Sequence, residues 1–424
     1  MNDDAEDHGS VPLHETDDPP AADDSMPVQA STGGWTVLQV LPALVTGGVE
    51  RGTIDVAIAL RDAGWLPLVA SSGGPMVREL ERAGIEHIAL PLQSKNPLVI
   101  RRNMDRLEQI ILERGVHIVH ARSRAPAWSA MIAAERTGAR FVTTFHGTYN
   151  LGPFALKRSY NAVMARGERV IAISRFISDH IQEVYDVDPN HIRIIPRGID
   201  IGRFDPSTVS PRRMIALART WRLPDGVPVV MLPGRLTRWK GQTVLIEALA
   251  RLPHREFRCL LVGADQGRAR YRRHLESLII RNGLEGVVQI VDHCNDMGAA
   301  YMLTDVVVSA STDPDAFGRV SVEAQAMGRP VIASDHGGSR ETVLPGVTGW
   351  LVPPRDPEAL AIAIQTVLSL TAEERRILAE IQRAHVVATF TRENMCANTL
   401  DVYREILTDT PFSEPPAPEE VAGP

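Results

Sequence analysis

The chain has 424 residues, 44% of them hydrophobic and 23% charged, which is a globular composition with enough chain for two sizeable cores. Its formal net charge is −7, but residues 1–34 hold nine acidic residues and residues 411–424 hold three, with no Lys or Arg in either tail. Residues 35–410 therefore carry a net charge of +5, which suits anionic ligands or membranes and does not by itself indicate nucleic-acid binding. We expect both tails to be disordered, because they are rich in Pro, Asp and Glu and poor in large apolar side chains.

The number of cysteines and the distribution of apolar residues indicate in which cellular compartment the protein works. The three cysteines have no metal-ligand spacing, so we expect no disulfide framework and a reducing environment. The acidic first 34 residues lack the apolar core of a signal peptide, and no run approaches the roughly 20 apolar residues of a membrane helix. We therefore expect a cytoplasmic protein, with binding to a membrane surface left open.

Predicted strands and helices alternate along the chain in two blocks. This is the pattern of parallel sheets wrapped by helices, and it predicts an α/β protein with two successive domains. The first block has predicted strands at residues 35–41, 66–70, 87–90, 116–119, 141–145, 170–173 and 192–195, and the second at residues 227–232, 258–262, 287–291, 305–308, 330–333 and 350–352. Residues 197–224, rich in Pro, Gly and Arg, are interpreted as a linker, and residues 356–407 are predicted to be helical.

Acidic side chains and glycines cluster after two strands of the second block. Asp313, Asp315 and Gly318 follow the predicted strand 305–308, and Glu323 lies in the early turns of the next helix. A Gly-Gly pair at 337–338 follows the next strand. In an open parallel sheet, ligands bind at the carboxyl ends of the strands, so this cluster predicts a ligand site.

Two nucleotide-binding fingerprints are missing from the sequence. A dinucleotide-binding fold shows Gly-x-Gly-x-x-Gly after its first strand, with an acidic residue about 20 positions later. Here the first strand is followed by Gly47 and Gly48 alone, and no Walker-type phosphate loop is present. An NAD-dependent enzyme is therefore disfavoured.

Two cations open the second block. Arg235 lies just beyond the first strand of this block, and Lys240 lies at the start of the next helix, where free N–H groups and the helix dipole favour negative charge. The chain has 42 Arg and only three Lys, so a lysine at this place indicates a compact point charge. The pair predicts an anion site; two solvated surface cations are the alternative.

Three motifs of the second block point to a known family. They read Gly-Arg-Leu-Thr-Arg-Trp-Lys-Gly at 234–241, Asp-Ala-Phe-Gly-x4-Glu-Ala-Gln-Ala-Met-Gly-Arg-Pro-Val-Ile-Ala-Ser at 315–334, and Gly-Gly-x-x-Glu at 337–341. Together they resemble the nucleotide-sugar-binding half of retaining glycosyltransferases of family 4, which have the GT-B fold. Gly-Gly-Val-Glu at 47–50 and Thr-Phe-His-Gly at 144–147 are similar to motifs in the other half of that family.

The resemblance implies a domain organisation. Two Rossmann-like parallel-sheet domains would face each other across a cleft. Residues 35–205 would form an acceptor domain, completed by a C-terminal helix at about 388–408 that crosses back onto it. Residues 206–387 would form the nucleotide-sugar-binding domain.

The resemblance also implies a role for each matching residue. Glu323 would accept hydrogen bonds from the donor ribose, and Asp315, which stands where the family usually has Glu, would face the transferred sugar. Arg235 and Lys240 would hold the diphosphate. The donor site would also include the backbone of Phe317, Gly318 and Arg319, together with Gly263, Gly337 and Gly338.

The first block would supply further contacts. The assigned residues are His146, which matches a family position near the transferred sugar, and Gly47, Gly48, His120 and Arg122, which would bind the acceptor or a phosphate. A structural role stays open for His120 and His146. Ser174 is expected to cap the helix that follows it, and Glu341 either belongs to the family motif or caps a helix at Ser339.

The implied reaction needs neither a cofactor nor a metal. Negative charge builds on the leaving diphosphate, and positioned cations and N–H groups stabilise it. The acceptor would attack from the face that the leaving group departs, which gives retention. Asp313-Pro314-Asp315 spells the D-x-D metal signature of another glycosyltransferase fold, but it lies inside the carboxylate motif, so we expect no metal.

Two basic amphipathic stretches, residues 98–114 and 154–169, hint at a membrane-bound acceptor. Solvated faces of surface helices are the alternative. We expect a nucleotide-sugar donor and a glycan or lipid-linked acceptor, in bacterial surface polysaccharide or lipopolysaccharide synthesis at the cytosolic face of the inner membrane, with no nucleic-acid partner. A GT-B sugar epimerase or phosphorylase stays open, as does a noncatalytic nucleotide-sugar-binding regulator, although Arg235, Lys240 and Glu323 together argue against the regulator.

Overall fold

The computed structural model describes residues 34–152, 155 and 157–408. The predicted disordered tails therefore lie outside the described residues, apart from residue 34, as do Phe154 and Leu156 of the second basic stretch. The described part of the chain contains a seven-stranded and a six-stranded parallel sheet, wrapped by helices. The predicted fold class, two Rossmann-like domains with a returning C-terminal helix, is confirmed.

Each strand lies within two residues of its predicted position. The first sheet contains β1 Thr36–Val40, β2 Leu66–Ser71, β3 Glu86–Ala89, β4 Ile118–Ala121, β5 Arg140–Phe145, β6 Arg169–Ala172 and β7 Ile192–Ile194. The second contains β8 Val229–Pro233, β9 Arg258–Val262, β10 Val288–Val291, β11 Val306–Ser309, β12 Val331–Ser334 and β13 Trp350–Val352. Strands such as β1 and β8 are buried along their whole length, because helices cover both faces of a parallel sheet.

The helices fall between the strands. They are α1 Gly48–Asp62, α2 Val77–Arg82, α3 Pro97–Arg114, α4 Arg124–Thr137, α5 Arg158–Asn161, α6 Arg175–Tyr185, α7 Pro211–Thr220, α8 Gln242–Arg251, α9 Ala269–Arg281, α10 Met297–Met302, α11 Arg319–Ala326, α12 Ser339–Thr342, α13 Pro357–Leu368, α14 Ala372–Thr389 and α15 Arg392–Thr408. None of the described helices is long and apolar enough to cross a membrane. The predicted boundary between residues 205 and 206 falls between the two sheets and stays a prediction.

Strand order creates a crevice in each sheet. The orders are β3-β2-β1-β4-β5-β6-β7 and β10-β9-β8-β11-β12-β13, so the order reverses beside β1 and beside β8. At such a point the loops leaving the neighbouring strands diverge and open a crevice at their carboxyl ends. The residues that follow β1, β4, β8 and β11 therefore line the two crevices.

The returning helix α15 completes the core of the first domain. Met395, Leu400 and Tyr403 share a buried cluster with Val37 of β1 and Ile118 of β4. Burial of these apolar side chains favours docking by roughly 25 cal/mol per Å² removed from water. The last helix therefore belongs to the first domain in space, although it follows the second in sequence.

Glu405 and two arginines form a cluster of ion pairs that holds the C-terminal end of α15 against the first sheet. Glu405 is 7% exposed and accepts hydrogen bonds from Nε of Arg169 at 2.8 Å and Nε of Arg193 at 3.0 Å. Burial raises the pKa of the Glu405 carboxyl, but the hydrogen bonds from Arg193 and Arg169 outweigh it and hold the pKa below its usual range. Ionised Glu405 therefore stabilises the docked helix.

A carboxylate of the second domain caps a helix of the first. Glu341 of α12 accepts a hydrogen bond from the backbone N–H of Arg175 at 2.7 Å through Oε2, and from that of Phe176 at 2.8 Å through Oε1. These N–H groups lie in the first turn of α6, have no acceptor within the helix, and are favourably placed for negative charge. Of the two roles left open for Glu341, the cap of α12 at Ser339 is not formed, since the side chain caps α6 of the other domain instead.

Ser174 adds a second link at the same point. Its Oγ accepts from the N–H of Ile177 at 3.1 Å, which confirms the predicted cap of α6. The same hydroxyl donates to the carbonyl oxygen of Ala316 at 2.6 Å. Because Ala316 directly follows Asp315, the start of α6 is tied to the loop that carries the predicted sugar-binding carboxylate. We call the contacts of Glu341 and Ser174 with these groups the domain latch.

Replacing Glu341 by Gln should loosen the domain latch. An amide nitrogen cannot accept a hydrogen bond, so one of the two N–H groups loses its partner, and the remaining contact loses its charge. We expect amide hydrogen exchange at residues 175–177 to accelerate about tenfold or more, while exchange in β1 stays unchanged. The matched control is Asp335→Asn, which alters a more exposed ion pair with Arg340. Unchanged exchange at residues 175–177 would contradict the latch.

Replacing Glu405 by Gln should destabilise the protein in a pH-dependent way. A carboxyl with a lowered pKa stabilises the fold above its unfolded pKa, and this contribution is lost as the pH falls through the folded pKa. We expect the free energy of unfolding to fall by about 2 kcal/mol at pH 7. Urea unfolding should show this deficit shrinking below about pH 4, where both forms approach neutrality. Glu380→Gln in an exposed pair is the control, and a pH-independent deficit would refute the assignment.

Candidate active site

A tight turn presents the two predicted cations of the second domain. Gly234, with a φ of +154°, follows β8, and the Arg235 side chain is exposed. A 3-10 turn, Arg238–Lys240, then carries the chain towards α8. Gly241 ends this turn with a φ of +72°, and a Cβ there would overlap the carbonyl oxygen of Ala310. The second glycine of the motif thus lets this turn lie against the loop after β11.

Lys240 and Asp315 form a direct ion pair. The Lys240 ammonium lies 2.8 Å from Oδ1 and 3.0 Å from Oδ2 of Asp315, and Oδ2 also accepts from Ser311 Oγ at 2.6 Å. The ammonium also lies 4.3 Å from the centroid of the Trp239 ring. The structure therefore brings together the residues predicted to hold the diphosphate and to face the sugar, and an arriving ligand would compete for both.

Glu323 is buried and doubly hydrogen-bonded. It is 8% exposed, and it accepts from Tyr301 Oη at 2.9 Å and from Arg319 Nε at 2.7 Å. Burial and then the neighbouring Glu323 charge hold the pKa of Tyr301 well above its usual range, so Tyr301 remains a donor. A ribose hydroxyl could reach this carboxylate by displacing the half-exposed Arg319 side chain. The predicted role of Glu323 stays a prediction.

The start of α11 is shaped by glycine and aromatic packing. Gly318 is the N-cap of α11 with a φ of +87°, and a Cβ there would lie 2.8 Å from Thr342 Oγ1. The Phe317 side chain is buried and packs edge-on against Phe390, with ring centroids 5.6 Å apart. The first N–H groups of α11 have no intrahelical acceptor, as expected for an anion-binding loop.

Three other predicted donor-site glycines allow close backbone packing. A Cβ on Gly263 would overlap the carbonyl oxygen of Gly234, and a Cβ on Gly338 would lie 2.6 Å from the Cα of Phe317. Gly337 has a φ of +57°, and a Cβ there would lie 2.6 Å from the carbonyl oxygen of Asp315. These glycines hold the loops that carry Arg235 and Asp315; direct contact with a donor stays a prediction.

The surroundings of His120 favour the structural alternative, and contact with an acceptor or phosphate stays a prediction. It is fully buried, with Nδ1 2.5 Å from Tyr403 Oη and Nε2 2.7 Å from Thr144 Oγ1. Burial, followed by the charge of Arg122, holds its pKa well below the usual range. Both ring nitrogens are occupied, so His120 joins β4 to β5 and α15.

His146 and Gly48 both contact Arg197. His146 follows β5, and its Nδ1 lies 3.5 Å from Arg197 Nη1, while its Nε2 is buried without a partner in the described residues. Arg197 donates to the carbonyl oxygen of Gly48, and a Cβ on Gly48 would lie 3.0 Å from the guanidinium. Burial and the charges of Arg197, Arg122 and His120 hold the pKa of His146 well below its usual range, so the ring is neutral at pH 7. Gly47, with a φ of +143°, caps α1.

A cavity of about 150 Å³ joins the two domains beside this group. Gly48, Gly52 and Asp55 of α1 line one wall, and Arg319 and Phe317 line the facing wall. The linker contributes Arg197, and α15 contributes Met395. Burial raises the pKa of Asp55 to about 6, although the charges of Arg51 and Arg392 oppose this shift.

The D-x-D carboxylates are engaged by different cations. Asp313 lies 3.1 Å from Arg355 Nη2, and Asp315 is held by Lys240. The expectation of a metal-independent site stays a prediction.

The sequence interpretation missed Arg197 and Tyr301. Arg197 closely follows β7, and the rule that ligand residues follow parallel strands, which drew attention to Arg122 and His146, could have found it. Tyr301 lies in the otherwise apolar sequence Met-Gly-Ala-Ala-Tyr-Met of α10. A tyrosine in such a helix needs a buried partner for its hydroxyl, but the sequence does not reveal that the partner is Glu323.

Each of the two domains matches a family of known proteins. Residues 46–203 match the family Glycosyltransferase Family 4, and residues 216–385 match Glycosyl transferases group 1. The D-inositol 3-phosphate glycosyltransferase of Xylanimonas cellulosilytica is 30% identical over 69% of this chain and 73% of its own length.

Solved structures agree with this match. A glycosyltransferase from Rickettsia africae ESF-5 has a TM-score of 0.83 and 41% identity, covering 89% of this chain and 100% of that one. Anabaena HepE in complex with UDP has a TM-score of 0.75 and 25% identity, covering 88% of this chain and 100% of that one. The fold, both sets of motifs and these relatives agree: the chain belongs to the family 4 glycosyltransferases of the GT-B fold.

Proposed function

We propose that the chain is a retaining, metal-independent glycosyltransferase that moves a sugar from a nucleoside-diphosphate sugar to a glycan or lipid-linked acceptor. The pathway would be synthesis of a bacterial surface polysaccharide or lipopolysaccharide. The observation that carries the proposal is the pairing of Lys240 with Asp315 and of Arg319 with Glu323, at the carboxyl ends of the strands beside the β8 switch point.

These pairs suit a site that receives a diphosphate. Lys240 and Asp315 are 16% and 13% exposed, so the pair is partly desolvated and its charges are weakly screened. An incoming diphosphate could replace Asp315 as the partner of Lys240, and Arg235 nearby would add a second cation. The freed carboxylate would then be available to hydroxyls of the sugar.

The chemistry follows from the charge of the leaving group. Breaking the bond between the anomeric carbon and the phosphate places extra negative charge on the diphosphate. A cation and N–H groups held in place before the reaction stabilise this charge without reorganising. Transfer with retention would need the acceptor on the face that the diphosphate leaves. We propose that His146 and the cavity lie on that face.

The names of the relatives suggest which donors and acceptors should be tested first. HepE was solved with UDP and with UDP-glucose, which makes uridine nucleotides the first donors to test. The relatives named D-inositol 3-phosphate glycosyltransferases favour a second candidate, transfer to a small phosphorylated acceptor. An epimerase would consume the nucleotide sugar without an acceptor, and a noncatalytic regulator would bind it without turnover.

Replacing Lys240 by Ala should remove most of the activity. Loss of one preorganised donor to a developing anion typically costs about 10²–10³-fold in rate. A thermal-shift screen would first identify the donor that stabilises the wild type, and nucleotide release with and without acceptor glycans would then be measured. The control Arg273→Ala removes an exposed cation on α9. Turnover in Lys240→Ala equal to that of the control would contradict the proposal.

Membrane binding is proposed for α3. Leu98 and Leu112 are 76% and 65% exposed, and the helical repeat places exposed Arg102 on the same face. We expect the protein to float with phosphatidylcholine vesicles only when phosphatidylglycerol is included, and to be released by salt. The double variant Leu98→Ser/Leu112→Ser should lose this binding, whereas Ile280→Ser on α9 should not. Equal flotation of both variants would contradict a role for α3.

A further inference from the structure

Asp55 is a buried carboxylate without a hydrogen-bond partner. It lies in the middle of α1 and is 7% exposed. Within residues 34–152, 155 and 157–408, its side chain accepts no hydrogen bond and forms no ion pair. A carboxylate that is taken out of water needs donors for its two oxygens, because burying an unpaired charge is costly. Asp55 therefore has unused hydrogen-bonding capacity in the free protein.

Two arginines whose charges act on Asp55 are held by other carboxylates. Arg51 donates to both oxygens of Glu79, at 2.7 and 2.8 Å. Arg392 Nη1 lies 3.1 Å from Oδ2 of Asp200. Neither arginine reaches Asp55, so neither supplies the missing donors.

The side chain of Asp55 lines the 150 Å³ cavity that joins the two domains. One water molecule needs only roughly 10–15 Å³, so the cavity has room for part of a ligand. Phe204, Phe317 and Met395 give it apolar walls. Apolar walls with a few polar groups are typical of small-molecule sites.

The surroundings of Asp55 select the chemistry of the ligand group. An ionised carboxylate only accepts hydrogen bonds, so the ligand must donate. A cationic donor is disfavoured, because Arg197, Arg203 and Arg319 line the same cavity. Neutral hydroxyl groups satisfy both conditions. A sugar ring carries adjacent hydroxyls, and its C–H faces match the apolar walls.

We propose that Asp55 is a substrate-binding residue whose carboxylate accepts hydrogen bonds from hydroxyl groups of a sugar ring that enters the cavity. Hydrogen bonds from a hydroxyl to a carboxylate are short, about 2.5–2.7 Å, and strong. The ring is the ribose of the donor or a sugar of the acceptor. The choice between these two rests on the proposed glycosyltransferase function, whereas hydroxyl binding by Asp55 does not.

Binding through Asp55 should depend on pH. Burial raises its pKa to about 6, so the carboxyl is mostly ionised at pH 7 and mostly protonated at pH 5. Hydroxyl donors favour the ionised form, and the hydrogen bonds should therefore be lost as the pH falls through this value. The other charged or titratable groups that face Asp55 are Arg51 on α1, Glu79 on α2, Arg122 after β4, Arg197 and Asp200 of the linker, Arg392 and Cys396 on α15, and Arg203 and Arg319 around the cavity.

The test compares Asp55→Asn, which keeps the shape of the side chain and removes its charge, with the wild type. Asp62→Asn at the exposed end of the same helix is the matched control. Calorimetry would measure the affinity for UDP at pH 7 and pH 5, and the nucleotide-release assay would give the KM for the acceptor at saturating donor.

We expect Asp55→Asn to bind one substrate about tenfold more weakly at pH 7, and the difference from the wild type to disappear at pH 5. The terminal phosphate of UDP also gains a proton in this range, but this affects both proteins equally. Removing a negative charge would by itself strengthen the binding of anionic UDP, so weaker binding indicates a lost hydrogen bond. A loss of equal size at both pH values would contradict the proposal.

The two measurements separate the sources of the hydroxyl groups. Weakened UDP binding assigns them to the ribose, and a raised KM for the acceptor assigns them to the acceptor. Wild-type values for both in Asp55→Asn would overturn the proposal, because Asp55 would then be hydrated by water alone. A wild-type protein that transfers no sugar would contradict the proposed function, and the affinity for UDP alone would then decide the role of Asp55.

Melting temperatures provide an independent readout. A carboxyl with a raised pKa contributes stability below its unfolded pKa of about 4, and this contribution is lost as the pH rises through the folded value of about 6. Ligand-free Asp55→Asn should therefore melt at or above the wild-type temperature at pH 7. A purely structural Asp55 predicts a lower melting temperature with unchanged affinities, which would refute the binding role. If Asp55→Asn does not fold, Asp55→Glu, which keeps the charge but displaces the carboxylate, decides the question through the same measurements at pH 7.

Discussion

The reversal of strand order beside β1 and beside β8 is the constraint on which the rest of the molecule depends. It opens a crevice at the carboxyl edge of each sheet, and the residues that follow the neighbouring strands lie at these crevices. Gly48 and Arg122 follow the strands beside the first reversal, and Arg235 and Asp315 follow those beside the second. The domain latch then joins the two edges, because Ser174 bonds Ala316 of the Asp315 loop and Glu341 of α12 bonds the start of α6. A change in domain spacing would therefore also move the Asp315 loop.

The cleft contains two kinds of cation. Lys240 and Arg319 are each held by a carboxylate, so they are positioned in the free protein and can exchange that partner for a substrate. Arg122 and Arg197 have no carboxylate partner in the described residues, and the cost of burying them falls on the ligand-free protein. A cation with a carboxylate partner suits a ligand that must bind and then leave, because the cation can pair with its carboxylate again after the ligand has left.

Much of this arrangement could be predicted from the sequence, and the failures have physical causes. Alternation of apolar runs with helical segments located the strands, because burial on both faces of a parallel sheet imposes that pattern. Local motifs singled out Lys240, Asp315 and Glu323, each from the few residues around it. The pairing of Lys240 with Asp315, 75 positions later, is not encoded by any local pattern. Local sequence left two roles open for His120, because its partner, Tyr403, comes from α15, 283 positions later. The partners of Glu341 and Tyr301 are likewise distant in sequence, and no local pattern encodes them.

A glycine in a binding motif can be required by close packing of the backbone or by contact with a ligand, and the two reasons are hard to separate. Gly241 and Gly263 are required by neighbouring backbone, and any larger residue would displace the loops that carry the cations. Gly52 differs, because a Cβ there would meet only the ends of two arginine side chains and a more distant methionine methyl. Arginine side chains can move away from a methyl group, so packing alone does not require glycine at this helical position.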